Sequence, residues 1–136
     1  MNNKGFTLVE LLAVLVIISL VASIGTVSVT KLSSDIKENM LQNKKELILY
    51  EAKVFGEDYK AALVTTCGKS GKTDCDEITV QDLIDNNYLN PKDTCVDANN
   101  NEFKCFKNNV NDNNMNDDII DVYLNGQNVE ATYYDV

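Results

Sequence analysis

From Leu11 to Val29 the chain carries no charged side chain, and a single carboxylate, Glu10, stands at the head of that run. About 20 such residues make a helix long enough to cross the hydrocarbon of a bilayer. The stretch therefore reads as a membrane helix, and everything after it has to be built onto its C-terminal end. A charge deep in a membrane helix costs roughly 2.5–3.5 kcal/mol even on the mildest scale, so Glu10 needs either a cation or an exit to the membrane surface. Two readings stand side by side. In the first helical turn, at the surface, the helix dipole favours a negative charge by about 0.3–1 kcal/mol and nothing more is required. Alternatively, Glu10 receives a cation, and the nearest candidate is a new amino terminus at Phe6 of its own or a neighbouring subunit.

The surrounding residues, Lys4-Gly5-Phe6-Thr7-Leu8-Val9-Glu10-Leu11-Leu12, resemble the prepilin processing signature of type IV pilins, pseudopilins and competence pilins. That signature is a short basic leader ending in Gly, then Phe, then Glu five residues into the mature chain. The resemblance covers residues 1 to about 30. It implies that a prepilin peptidase cuts after Gly5 and methylates the amino group of Phe6, and that Glu10 neutralises the amino terminus of an adjacent subunit during assembly. It further implies other pilins as partners in a homo- or hetero-polymer, together with a pilus assembly platform and its ATPase. The precursor would cross the cytoplasmic membrane once, head outside, before entering an extracellular filament. Two departures stand out. The five-residue leader has Lys4 as its one basic side chain, and the Pro often found near the middle of the segment is missing. Ile24-Gly25-Thr26 lies nearby, so a kink there would rest on Gly, a weaker helix breaker than Pro. A cleaved signal peptide competes less well, since the apolar run exceeds the roughly 7–15 residues of a signal core. A cut near Val21-Ala22-Ser23 would nevertheless release a soluble head.

With 136 residues, the chain has room for one modest domain beyond the helix, and a core that small benefits from staples. All four cysteines follow residue 66, which fits an oxidising compartment. Cys67 and Cys75 are separated by seven residues and Cys95 and Cys105 by nine; the close CxxC pairs usual for zinc are missing and the chain has no His, so disulfides are preferred to metal. Of the three connectivities, the local one, Cys67 with Cys75 and Cys95 with Cys105, places each pair across a short turn-rich loop. Acidic residues outnumber basic ones 21 to 12, a net charge of -9, which is the wrong sign for a phosphate-binding surface. Without His, a Ser or Cys nucleophile lacks its usual base. The carboxylates read as spread over solvated faces, without the apolar surroundings that raise a pKa. The expectation is a non-enzymatic chain with no cofactor, no metal and no direct nucleic-acid contact.

In chain order, residues 1–5 are the leader, 6–29 the membrane and assembly half of a long helix, 30–65 its amphipathic half, and 66–136 a disulfide-stapled α/β head. Leu41, Ile48, Ala52, Phe55, Tyr59 and Ala62 recur on one helical stripe, widened by Leu47, Val54 and Leu63. The helix is expected to run nearly 60 residues, roughly 85–90 Å at 1.5 Å per residue, and to end near Thr65-Thr66. Gly56 is either tolerated or a site of close packing. Gly68-x-x-Gly71-Lys72-Thr73 lacks the spacing and the preceding strand of a phosphate loop. Thr79 followed by Asp82 predicts an N-cap, Asn86-Asn87 a helix end, and Pro91 a stop. The pattern Thr79-x-x-Asp82-Leu83-Ile84-Asp85-x-x-Tyr88-Leu89 also resembles a segment of pilin-like proteins of Gram-positive bacteria, where it packs the head beneath the long helix.

Two hairpins are expected. One pairs Thr94–Val96 with Glu102–Phe106, and the other pairs Ile119–Leu124 with Val129–Tyr134 around Asn125-Gly126-Gln127-Asn128. Ile120, Val122 and Leu124 alternate with Asp121 and Tyr123, which predicts one face on the long helix and the other toward solvent or a neighbouring subunit. Residues 108–118 invite a calcium reading through Asp112, Asn114 and Asn116 at alternate positions. They depart from an EF-hand loop, with Asp117 where the sharp turn needs Gly and Tyr123 at the twelfth place; a flexible polar loop is the other reading. The fold class expected is α+β and type IV pilin-like: one long N-terminal helix packed on a small antiparallel β head, with a short extra helix. The function expected is a structural pilus subunit for adhesion, motility or surface attachment. The alternatives are a pseudopilin of a type II-like secretion or competence DNA-uptake system and, from another class, a monomeric membrane-anchored or secreted binding domain.

Overall fold

The computed structural model of the protein describes residues 7–136, with side chains at all of these positions except 24–28. It is an α+β chain whose elements follow in the order α1 (Leu8–Asp58), a single 3-10 turn (Lys60–Ala62), β1 (Cys75–Thr79), α2 (Val80–Asp85), β2 (Asp93–Val96), β3 (Glu102–Cys105), β4 (Ile119–Asn125) and β5 (Asn128–Tyr134). Two compact units divide it, Met1–Lys37 and Glu38–Val136.

In the first unit the apolar side chains between Leu8 and Val21, including Leu11, Leu15, Ile17 and Ile18, are exposed. The polar groups in this apolar stretch are turned back on the helix itself. Ser19 Oγ donates to Val16 O and Ser23 Oγ to Leu20 O, each at 2.8 Å, the pattern by which a serine hydroxyl is satisfied without water. No helix among the described residues is long and apolar enough to cross a membrane. Of the expected membrane segment 6–29, residue 6 and the side chains at 24–28 lie outside the described residues.

In the second unit Leu41, Ile48, Ala52 and Phe55 form the buried stripe of α1 and share one core with Leu63, Ile78, Val80, Leu83, Leu89, Phe106, Met115, Ile120, Val122 and Val129. α1 stops at Asp58, short of the Thr65-Thr66 end that its composition suggests, and the 3-10 turn carries the chain on. Tyr59 and Ala62 consequently leave the stripe and stand exposed, while Leu63, beyond the turn, is buried. Gly56 is a point of close packing: a Cβ there would lie 2.4 Å from Val122 Cγ1 and 2.6 Å from Val129 Cγ1.

Strand order in the main sheet is β1-β4-β5, all antiparallel, and β2 and β3 form a separate two-stranded ribbon. Both predicted hairpins are present. Strand β1 is an addition that the sequence pattern does not suggest: Cys-Asp-Glu-Ile-Thr has too few apolar residues for a clear alternation, and its partner β4 is distant along the chain. In the second hairpin Asn125 pairs with Asn128, so the two central turn residues are Gly126 and Gln127. Only Gly126 has a positive φ, +67°, which fits the turn with Gly first, rather than the type that uses Asn and Gly as the central pair. Helix α2 opens on a full capping box: Thr79 Oγ1 accepts from Asp82 N, and Asp82 Oδ2 accepts from Thr79 N.

Candidate functional site

The N-terminal candidates fall on both sides of the first described residue. Gly5 and Phe6 lie outside the described residues. Glu10 sits in the first turn of α1, where its Oε2 accepts from Thr7 N and from Thr7 Oγ1, each at 2.9 Å, while Glu10 N donates to Thr7 Oγ1 at 3.3 Å. This is the reciprocal pattern of a capping box. Its signal, Thr7-x-x-Glu10, is present in the sequence, although the charge of Glu10 alone does not reveal the cap. Within a single chain, Glu10 therefore serves the start of its own helix, which is the arrangement of the first of the two readings.

In the head the cysteines pair locally, Cys67 with Cys75 and Cys95 with Cys105. The Cys95–Cys105 ribbon is latched to α1 by Lys44, whose Nζ donates to Asp93 Oδ2 at 2.9 Å and to Lys107 O at 2.7 Å. Asp93 Oδ2 also accepts from Lys107 N at 3.1 Å. The bond from Lys44 is the main reason that the Asp93 carboxyl titrates below its ordinary 3.8, opposed by partial burial. The other end of the head is closed by Asp118, which accepts from Tyr133 Oη and, at 3.0 Å, from Val136 N. Burial first, and then the bond to Asp118, push the Tyr133 phenol upward.

The expectation that carboxylates lie only on solvated faces is corrected here: Asp118 is 5 % exposed and Asp121 is fully buried. Asp121 projects from β4 on the face opposite Ile120 and Val122, yet it does not reach solvent. The loop that follows Leu63 folds over this face. Ser70 N donates to Asp121 Oδ2 at 2.9 Å, and Lys72 Nζ stands 5.1 Å from the centre of the Tyr123 ring. Asp121 Oδ1 has no hydrogen-bond partner among the described residues. Leaving a buried polar group unpaired costs about 1–3 kcal/mol. Cys67 Sγ, Cys75 Sγ and an Asp121 oxygen all lie within 4.8 Å of one another.

The polar segment 108–118 is held together from within. Asn108 Oδ1 accepts from Val110 N, Asn111 Oδ1 from Asn113 N, and Asn114 Oδ1 from Asn116 N. Asn116 is buried and points elsewhere: its Nδ2 donates to Gln81 Oε1 and Lys104 O, and its Oδ1 accepts from Phe106 N. Two of the three alternate side-chain oxygens are thus engaged by backbone amides, Asn114 Oδ1 by Asn116 N and Asn116 Oδ1 by Phe106 N.

Comparison with known families places one match on this chain. Residues 1–26 match the family model for the prokaryotic N-terminal methylation motif, the signature of type IV pilins and pseudopilins. The match covers the leader, the expected cleavage point, Glu10 and most of the uncharged run, and leaves the head unassigned. No curated protein and no solved structure matches the chain.

Proposed function

We propose that the chain is a pilin: a precursor cleaved after Gly5 and methylated on the amino group of Phe6 by a prepilin peptidase, which then polymerises through its N-terminal helix into a type IV pilus. The methylation motif at residues 1–26 carries this reading. The uncharged run from Leu11 to Val29 supplies the segment that holds the precursor in the cytoplasmic membrane and later packs between subunits. Glu10 marks the point at which neighbouring subunits recognise each other. In the membrane-bound monomer it caps its own helix through Thr7, and on assembly its carboxylate takes the methylated amine of an adjacent Phe6. The disulfide-stapled head, residues 66–136, faces outward and contributes no catalysis.

The test is mass spectrometry of the N-terminus together with shearing of cells that express the chain. The expected result is a mature chain beginning at methylated Phe6, present in the sheared extracellular fraction. An intact Met1, or a start near Ile24, in material recovered from outside the cell would remove the pilin reading.

A further inference from the structure

We propose that the dithiol form of the Cys67–Cys75 pair, together with Asp121, is a buried site for one thiophilic divalent cation of the zinc class. The inference concerns the head alone and is independent of whether the chain polymerises.

Three observations carry it. The two sulfurs and an Asp121 oxygen already lie within 4.8 Å of one another, and all three residues are buried. In a tetrahedral zinc site, Zn–S bonds of about 2.3 Å and Zn–O bonds of about 2.0–2.2 Å set the ligand atoms roughly 3.5–4 Å apart. Opening the disulfide therefore needs only a small separation of the sulfurs to reach that geometry. Second, Asp121 is fully buried and its Oδ1 has no partner, although Oδ2 is held by Ser70 N. The carboxylate beside the two sulfurs thus keeps an unpartnered oxygen that is already stripped of water. Third, Glu77 of β1 is the register partner of Asp121 and, although exposed, puts a second carboxylate on the same face of the sheet. Like charges paired across a sheet are unfavourable, so a cation bound at Asp121 would lower the negative charge on that face.

The chemistry balances as follows. A thiol-class reductant takes the disulfide to two thiols and is itself oxidised to its disulfide. The cation then displaces the two thiol protons to solvent, binds both thiolates and Asp121, and leaves a fourth position for water. Thiol–disulfide exchange with a small-molecule disulfide, which is itself reduced to two thiols, closes the Cys67–Cys75 bond again and expels the cation. The site is thus closed in the oxidised head and opens on reduction, and because protons compete for the thiolates its affinity falls as the pH is lowered.

The experiment uses the full chain in detergent, oxidised or reduced with a phosphine, titrated with Co2+ and followed by sulfur-to-cobalt charge-transfer absorption and by the thermal unfolding midpoint. One equivalent should bind to the reduced chain and none to the oxidised chain. The Cys67→Ser/Cys75→Ser variant should lose the signal, while Cys95→Ser/Cys105→Ser should keep it. Loss of an outer-shell partner already weakens metal sites by about 10–100-fold, so Asp121→Asn, which removes a direct ligand, should weaken binding by at least tenfold. Metal binding and folding are coupled, so a reduced head that has partly unfolded should regain its midpoint with Co2+. Absence of binding and of this regain in the reduced chain would overturn the proposal. So would equal affinity in Asp121→Asn, or a signal that follows Cys95 and Cys105.

Discussion

Under the proposed function Glu10 holds two roles in succession, since a carboxylate has enough lone pairs to cap a helix and still accept a cation. If the cap were its whole role, Glu10→Gln would cost only about 0.3–1 kcal/mol of dipole interaction and leave assembly intact. If it pairs with the amine of Phe6 in a neighbour, the same change leaves a buried cation unpaired at every subunit contact, where breaking a buried pair costs about 3–5 kcal/mol. We expect the ratio of sheared to membrane-bound subunit to collapse in Glu10→Gln, with cleavage after Gly5 unchanged; equal ratios and normal filaments would remove Glu10 from the assembly contact. Asp93 gives a second prediction at this scale. Its carboxyl titrates below 3.8 in the folded chain, mainly because of Lys44. A depressed acid contributes stability that is fully present above the unfolded value and lost as pH falls through the folded one. Unfolding of the head by urea should therefore become easier below about pH 4, and Asp93→Asn should flatten that dependence. An unchanged acid slope in the variant would show that the latch to Lys44 does not contribute to acid stability.

At the level of elements, Gly56 decides how α1 meets the sheet. Helix propensity alone predicts that Gly→Ala in a helix interior stabilises by about 1 kcal/mol. Here the new Cβ would stand 2.4 Å and 2.6 Å from Val122 and Val129 methyl carbons, and overpacking of a tight core costs about 1–3 kcal/mol. We expect the packing term to prevail, so that Gly56→Ala lowers the thermal midpoint of the head; a raised midpoint would mean that α1 slides away at little cost. What was legible in the residues follows the same division between local and distant effects. Helix α2 could be read from Thr79, Asp82 and Pro91, because its cap lies within four residues of chain. The buried stripe Leu41, Ile48, Ala52 and Phe55 could be read from period alone. Strand β1 could not, since nothing between Cys75 and Thr79 signals its pairing with β4. Nor could the end of α1, because the turn after Asp58 is set by where Leu63 must go. Asp121 was misread for a related reason: alternation along β4 places it correctly on the second face, but what covers that face is a loop some 50 residues earlier.

For the whole molecule, the question is how a head with so small a core stays folded. A chain-entropy account assigns about 2.5–3 kcal/mol to each disulfide, given separations of 8 and 10 residues, and domains of this kind have only about 5–15 kcal/mol in total. The two staples sit at different places: Cys95–Cys105 closes the β2–β3 ribbon that Lys44 ties to α1, whereas Cys67–Cys75 closes the loop lying over Asp121. Opening the second should therefore be partly offset, because the unpaired Asp121 oxygen gains water once the loop loosens. We expect Cys95→Ala/Cys105→Ala to lose the full amount of about 2.5–3 kcal/mol, Cys67→Ala/Cys75→Ala to lose less, and removal of all four to take a large share of the head's stability. Urea unfolding followed by tyrosine fluorescence, convenient in a chain with six Tyr and no Trp, gives all three values. Introducing Asp121→Asn into the Cys67→Ala/Cys75→Ala background isolates the offset, since a side chain without the charge gains less from that water. If the two pairs cost the same, and Asp121→Asn changes neither, then the buried carboxylate is already satisfied in the closed head and the loop above it acts as a simple tether.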